Sequence, residues 1–187
     1  MKIKFLTFLF ACFFVTSYAQ IDLKINPIGA LFGSPDVTAD FILNDQFSVE
    51  GGLGIDFGSF RINDIKYKRS GFSVLAVGKH YFNPNLGGDK FGVGIYSRFR
   101  NFGNSLSDGG DTDDYTRTRL ALGLQIGWKR VSESGFIFEF DFGGGRALVD
   151  NTKFDNASIS SITEDDIPSL TVDLLVRIAI GYRIGGK

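Results

Sequence analysis

The sequence predicts an all-β chain, an eight-stranded antiparallel up-and-down transmembrane β-barrel preceded by a cleavable signal peptide. Three observations carry this. Eight segments alternate apolar with polar residues, the two-residue period of a strand with one apolar face. Glycine (24) and phenylalanine (20) are abundant and proline (4) is scarce, with no helical apolar stripe. Long polar connections alternate with short ones, the asymmetry of barrels that cross an outer membrane.

The chain starts with "MKIK", a positive n-region carrying Lys2 and Lys4, followed by the apolar "FLTFLFACFFVT" and the small-residue site "SYA" ending at Ala19. That order is an export signal, giving a signal peptide over 1–19 and one barrel domain over 20–187. "LFAC" faintly matches a lipoprotein site at Cys12, but Phe10 and the apolar "FFVTSYA" argue against that processing. Cleavage after Ala19 removes the single cysteine, excluding a disulfide framework, a cysteine metal site and a cysteine nucleophile. Losing Lys2 and Lys4 takes the 20 basic residues to 18 against 21 acids, a balance of −3 that gives no reason to expect nucleic acid.

The eight segments are 21–32, 37–43, 47–58, 71–82, 90–102, 117–128, 136–149 and 169–184. Each but the short second is about the length a tilted strand needs to cross a bilayer. "NDQ", "NPNLGGD" and "VSESG" connect them compactly, whereas 59–70, 103–116 and 150–167 read as long polar loops on one end. In "GFIFEFDFGGG" (135–145), Phe136, Phe138, Phe140 and Phe142 share one face and Glu139 and Asp141 the other. The sixth segment sets Leu120, Leu122, Leu124, Ile126 and Trp128 against Arg119, Ala121, Gly123, Gln125 and Gly127.

The polar faces mix glycine with long charged residues. A solvated face does not need that glycine, but a crowded lumen does, because each charge crossing it needs an empty neighbour. An eight-stranded interior is only just wide enough for its side chains. The apolar faces are therefore expected to meet lipid, where a soluble lipocalin-like carrier would turn them inward. The expected lumen network is Lys24, Asp40, Glu50, Asp56, Lys79, Arg98, Arg100, Arg119, Glu139, Asp141, Asp173, Arg177 and Arg183, joined by Asp22. Those are seven acids and seven bases, as a confined interior that penalises unpaired charge requires. "GGG" (143–145) is expected to mark a bulge, since strict alternation aims Arg146 outward. Phe47, Phe82, Phe91, Trp128, Phe136 and Tyr182 fall at one rim, and Phe57, Phe60, Phe72, Phe102 and Tyr115 toward the other, as two aromatic girdles.

With "LKINPIGALFG" in the first segment, "GKHYF" ending the fourth and "RIAIGYRIGGK" closing the chain, the sequence resembles the small eight-stranded outer-membrane barrel proteins grouped as an outer membrane protein beta-barrel domain. The resemblance covers the mature chain. It implies a last strand serving as assembly signal, from which the trailing "GGK" departs, and the reading as a whole is of a monomer in the outer membrane.

Catalytic, cofactor and metal residues are all expected to be none. Lipid-A-modifying barrels need a nucleophile or base at the outer leaflet; the single histidine, His80, falls at the periplasmic end beside Tyr81 and Phe82. Asp108, Asp111, Asp113 and Asp114 make a weak candidate for a loop cation site, without the distal glutamate of an EF-hand. Arg61, Lys66, Lys68 and Arg69 make 59–70 basic, able to meet lipopolysaccharide phosphates or the acidic loop. "NAS" (156–158) matches a glycosylation sequon that carries little weight in an outer membrane. No glycine-rich stretch opens a helix, so no phosphate loop is present. The expectation is a non-enzymatic barrel with a filled lumen, whose partners are membrane lipids and lipopolysaccharide or another surface partner met through 59–70, 103–116 and 150–167. A narrow pore, a lipid-A-modifying enzyme and a soluble carrier are the alternatives.

Overall fold

Strict alternation makes each strand of this chain two-faced, and such a strand is stable only where one face is enclosed. The computed structural model describes residues 20–62, 65–108, 111–154 and 171–185, and the expected signal peptide lies outside them. The strands are β1 (Gln20–Ile25), β2 (Asp36–Ile42), β3 (Phe47–Asp56), β4 (Ser59–Ile62), β5 (Ile65–Tyr81), β6 (Lys90–Asp108), β7 (Asp111–Val131), β8 (Phe136–Phe154) and β9 (Val172–Ile184). A single short helix, α1 (Pro27–Leu31), separates β1 from β2.

Each strand pairs antiparallel with its neighbour, and β1 pairs with β9, from Ile21 opposite Ile184 to Ile25 opposite Ile180. β3 pairs with β5 from Phe47 opposite His80 to Asp56 opposite Gly71, which completes the ring. β4 continues β3 beyond Phe57 and Gly58, pairing with the start of β5. The ring therefore has eight staves, an all-β closed barrel with no free edge along most of its circumference.

The faces sort as the alternation implies. Leu122, Leu124, Ile126 and Trp128 of β7 are exposed on the outside, as are Phe136, Phe138, Phe140 and Phe142 of β8 and Leu174 and Val176 of β9. Between them, Ala121, Gln125, Lys129, Ile137, Glu139, Asp141, Leu175 and Arg177 are buried in the lumen. Outside, Phe82 stacks on Phe91 with centroids 5.9 Å apart, and His80 lies between Phe47 and Phe82.

Three expectations on local structure are corrected. Of the stretches 59–70 and 103–116, residues 59–62, 65–70, 103–108 and 111–116 are not loop. They are paired strand extensions, β4 against β5 and the outer ends of β6 and β7, the latter running to Asp108 opposite Asp111. The extension over 103–116 is polar on both faces, so alternation says nothing about it; in 59–70, Phe60, Ile62, Ile65 and Tyr67 do alternate with Ser59, Arg61, Lys66 and Lys68. Of 150–167, residues 150–154 extend β8 and 155–167 lie outside the described residues. The bulge is not at 143–145, which pairs regularly; the register shifts at Leu148, where Leu120 faces Val149 and Ala121 faces Ala147. Arg146 accordingly points outward, level with Val172. Finally, the first segment ends at Ile25, because Asn26 caps α1 through the Gly29 amide (2.9 Å) and Pro27 begins it.

Glycine makes room inside for one large side chain. Tyr96 is fully buried across the lumen, and a Cβ on Gly123 would lie 2.5 Å from its ring while one on Gly145 would lie 2.7 Å from its hydroxyl. A Cβ on Gly144, on the outer face, meets nothing within 4 Å. Gly145→Ala is therefore expected to lower stability by about 1–3 kcal/mol through overpacking, while Gly144→Ala leaves the urea midpoint of the refolded barrel unchanged or raised.

Candidate functional site

Among the described residues, buried charge is concentrated in the lumen. A buried ion loses several kcal/mol of solvation and keeps its charge only where partners surround it. From the end that holds Gln20 upward, Arg183 donates to Asp22 in two hydrogen bonds (2.6 and 2.9 Å). Lys129 bridges Asp22 and Asp40 at 2.9 Å each, with its ammonium 4.8 Å from the centre of the Tyr81 ring. Above it, Lys24 and Lys79 sit among three carboxylates. Lys79 bonds Glu50 and Glu139 at 2.5 Å and lies 3.6 Å from Asp40; Lys24 bonds the same two glutamates and lies 3.5 Å from Asp40. Arg177 then joins Glu50 to Asp141, its Nη2 2.7 Å from the aspartate.

Asp22, Asp40, Glu50, Glu139 and Asp141 thus meet Lys24, Lys79, Lys129, Arg177 and Arg183, five charges of each sign in continuous contact. Carboxylate oxygens of Asp40, Glu50 and Glu139 lie within 4.8 Å of one another, close enough for a metal ion. The two lysine ammoniums already fill that space.

A layer of Val77, Tyr96 and Leu175 follows, and beyond it the chemistry changes. Asp173 accepts from Tyr96 (3.0 Å), from Arg98 (2.6 Å) and from Arg100. Arg117 forms a two-pronged pair with Asp150 at 2.7 Å, and Arg119 approaches the same carboxylate at 3.4 Å. Arg69 bonds Asp56 at 2.6 Å and Ser34 at 2.8 Å. The Arg117–Asp150 pair stands above the apolar band, and its hydrogen bonds hold the Asp150 carboxyl below its ordinary range and the Arg117 guanidinium above its own.

Of the thirteen expected residues, Lys24, Asp40, Glu50, Lys79, Glu139, Asp141, Arg177 and Arg183 meet in the lattice below the Tyr96 layer, Arg98 and Arg100 meet on Asp173 above it, and Asp56 and Arg119 pair separately with Arg69 and Asp150. Lys129 is the member that sequence reasoning missed. One further alternating step past Trp128 reaches it. His80 faces outward between aromatic rings, away from every carboxylate of the lumen. In the acidic hairpin the backbone pairs Asp108 with Asp111 and Asp113 with Leu106, and Asp114 is exposed; the side chains of the other three aspartates lie outside the described residues.

Closed antiparallel staves, an apolar outside and a salt-bridged inside define a small inside-out β-barrel. The chain belongs to the family described as a protein of unknown function (DUF3575), which matches residues 4–182. No curated protein matches the sequence. Among solved structures, the chain is similar to the crystal structure of Neisserial surface protein A (NspA), with 14% identity over 90% of this chain and 96% of that one and a TM-score of 0.45.

Removing one partner from the lower network leaves the others buried and uncompensated. Glu50→Gln, which leaves Lys24, Lys79 and Arg177 one carboxylate short, is expected to cost about 3–5 kcal/mol. Asp114→Asn, at the exposed hairpin, should change stability by less than about 0.5 kcal/mol. Urea titrations of the refolded protein, read by the fluorescence of Trp128, check both.

Proposed function

We propose that the chain is a monomeric outer-membrane β-barrel without enzymatic activity, which presents its polar hairpins at the cell surface and acts through contacts with envelope lipids or a surface partner. The observation that carries the reading is the inversion of its faces. Leu23, Leu53, Ile95, Leu124, Phe140 and Leu174 are exposed, each from 42% to 67%, around a lumen of ion pairs. Water would make that arrangement unstable and aggregation-prone, whereas hydrocarbon covers the outside and a closed ring leaves few backbone groups unpaired.

The aromatic placement supports the same reading. Phe47, Phe82, Phe91, Trp128, Phe136 and Tyr182 are exposed at the rim that carries the short turns, and Phe57 and Phe72 are exposed toward the other. The long hairpins β4–β5 and β6–β7 and the extended β8 project from that second rim, as the surface loops of such barrels do. The five-to-five lattice below Tyr96 fills the cross-section, which favours a sealed barrel over a pore. For lipid chemistry, a nucleophile with its base is needed near the surface end, and His80 sits at the opposite one among aromatic rings.

Two measurements test this. The refolded protein should migrate differently on a gel before and after boiling, with planar bilayers showing no steady conductance steps; identical migration, or regular steps from pure protein, would contradict the reading. Leu124→Arg should destabilise the barrel in vesicles by about 2–4 kcal/mol, the cost of a guanidinium on a lipid face near the midplane, and an unchanged urea midpoint would argue for a soluble fold.

A further inference from the structure

The wall of the barrel is incomplete at one place. β1 pairs with β9 only as far as Ile25 opposite Ile180, yet β9 continues upward to Val172. The Asn26 amide bonds Asp36 of β2, so the even-numbered residues of this stave face β2 and the odd-numbered ones face β9. On β9 the Arg183 amide and the Thr171 carbonyl bond toward β8, so the even-numbered residues face β1. Above Ile180, the edge formed by Ile178, Val176, Leu174 and Val172 meets no strand among the described residues.

The residues after Ile25 make this stop. Carried on in register, β1 would next bring Pro27 opposite Ile178, and proline has no N–H to give that carbonyl. Alternation would then turn Ile28 and Phe32 into the lumen beside buried Lys24 and Asn26, and set Gly29 against lipid. A helical turn suits the same residues. Asn26 caps α1 and Pro27 begins it. Ile28, Leu31 and Phe32, three and four residues apart, are then all exposed, at 42%, 81% and 77%. Gly29 is needed as well, because a Cβ on it would lie 2.4 Å from the Ser34 carbonyl oxygen.

The opening lies within the apolar band, since Ile178 is paired with Phe140 and Val176 with Phe142, both exposed. Hydrocarbon cannot satisfy a sheet edge, which is tolerated at that depth only where it is buried in protein or lines a water-filled cavity. A cavity of about 190 Å³ lies here, lined by Arg98 and Arg177 from the lumen, Gly29 of α1 and Val176 of β9. It has room for several waters and polar groups to hold them. Part of the edge is already served from inside. Arg98 of β6 donates to the Leu174 carbonyl at 2.6 Å and Arg119 of β7 to that of Val172 at 3.0 Å. The charges that meet the cavity balance, Arg69, Arg98 and Arg100 against Asp36, Asp56 and Asp173, which suits a neutral occupant.

We infer that the barrel carries a built-in lateral window between α1 and β9, which water fills from the outer mouth and which joins the upper lumen to the bilayer. Water meets the edge groups of Val176 and Ile178, and the apolar residues of α1 form its lipid-side frame. Because the lattice of ion pairs closes the lumen below, the way onward from the outer mouth runs sideways into lipid.

The inference rests on the barrel lying in lipid, and the test separates the two. The expected mature chain has no cysteine, so single ones can be placed at Val176 and Ile126, which flank Phe142 on the outer face. In vesicles, a charged, membrane-impermeant thiosulfonate should label V176C at least about tenfold faster than I126C, because only a wetted thiol ionises. P27V/I28T/G29V restores alternation and a donor opposite Ile178. It should extend β1 and slow labelling of V176C toward that of I126C, while keeping the gel shift on boiling. Should that variant not fold, amide exchange in the unaltered barrel decides. Val176 and Ile178 should exchange about tenfold or more faster than Leu175 and Arg177, whose amides face β8. Equally slow labelling of V176C and I126C, labelling of V176C that P27V/I28T/G29V leaves unchanged, or equal exchange of the four amides each overturns the inference. Fast labelling of I126C as well, which a water-soluble fold would give, would instead overturn the membrane reading.

Discussion

A charge enclosed within an eight-stranded ring has no water to fall back on, and that constraint orders the rest of this molecule. Asp22, Asp40, Glu50, Glu139 and Asp141 are each held by cations from other strands, so the network ties opposite walls together. Lys24 of β1 reaches Glu139 of β8, and Arg177 of β9 reaches Glu50 of β3. Such bonds are exchanged for lost solvation and are individually worth little. Their consequence is specificity of register: a one-residue slip on any strand would put its charges against hydrocarbon and its leucines in the lumen.

The same constraint explains the glycines. Tyr96 and the long cations occupy a cross-section that cannot take a side chain from every inward position, so Gly123, Gly143 and Gly145 open space around the tyrosine ring. It also explains the division of the interior. Below Tyr96 the charges match and the lumen is packed; above it a seam opens beside α1, where β9 runs on past the end of β1 and Arg98 and Arg119 donate to its carbonyls. Sealing and exposure are therefore assigned to different levels of one barrel.

Much of this was legible in the alternation. Phe136 to Phe142 and Leu120 to Trp128 declare two faces whatever the register, and the glycine among the charges tells which face is enclosed. Alternation carries no information across the polar stretch 103–116, which is why it read as a loop although it is paired, whereas the alternation of Phe60, Ile62, Ile65 and Tyr67 within 59–70 was there to be read. Lys129 was lost by ending its strand at Trp128, since a single lysine beyond a rim tryptophan looks like a turn. The short helix was announced by Asn26 before Pro27, but "PIGALF" is apolar enough to pass for strand. The bulge at Leu148 has no local signature, because "RALVD" contains nothing that glycine-rich 143–145 does not offer more strongly. The seam was not readable without the pairing of β1 with β9. It follows from the different lengths of β1 and β9, and strand length on a polar-capped end is a property of the whole sheet.

The orientation of the faces can be measured directly. In a Trp128→Phe background, single tryptophans placed at Leu122, Leu124 and Ile126 can be reconstituted in vesicles containing brominated phosphatidylcholines. Strong quenching by the lipid, deepest for a site near the middle of β7, with little quenching by aqueous acrylamide, is the result that an outward apolar face predicts. Efficient acrylamide quenching with no effect of bromine, or protection from both at every position, would place those side chains in water or in a core and contradict the account.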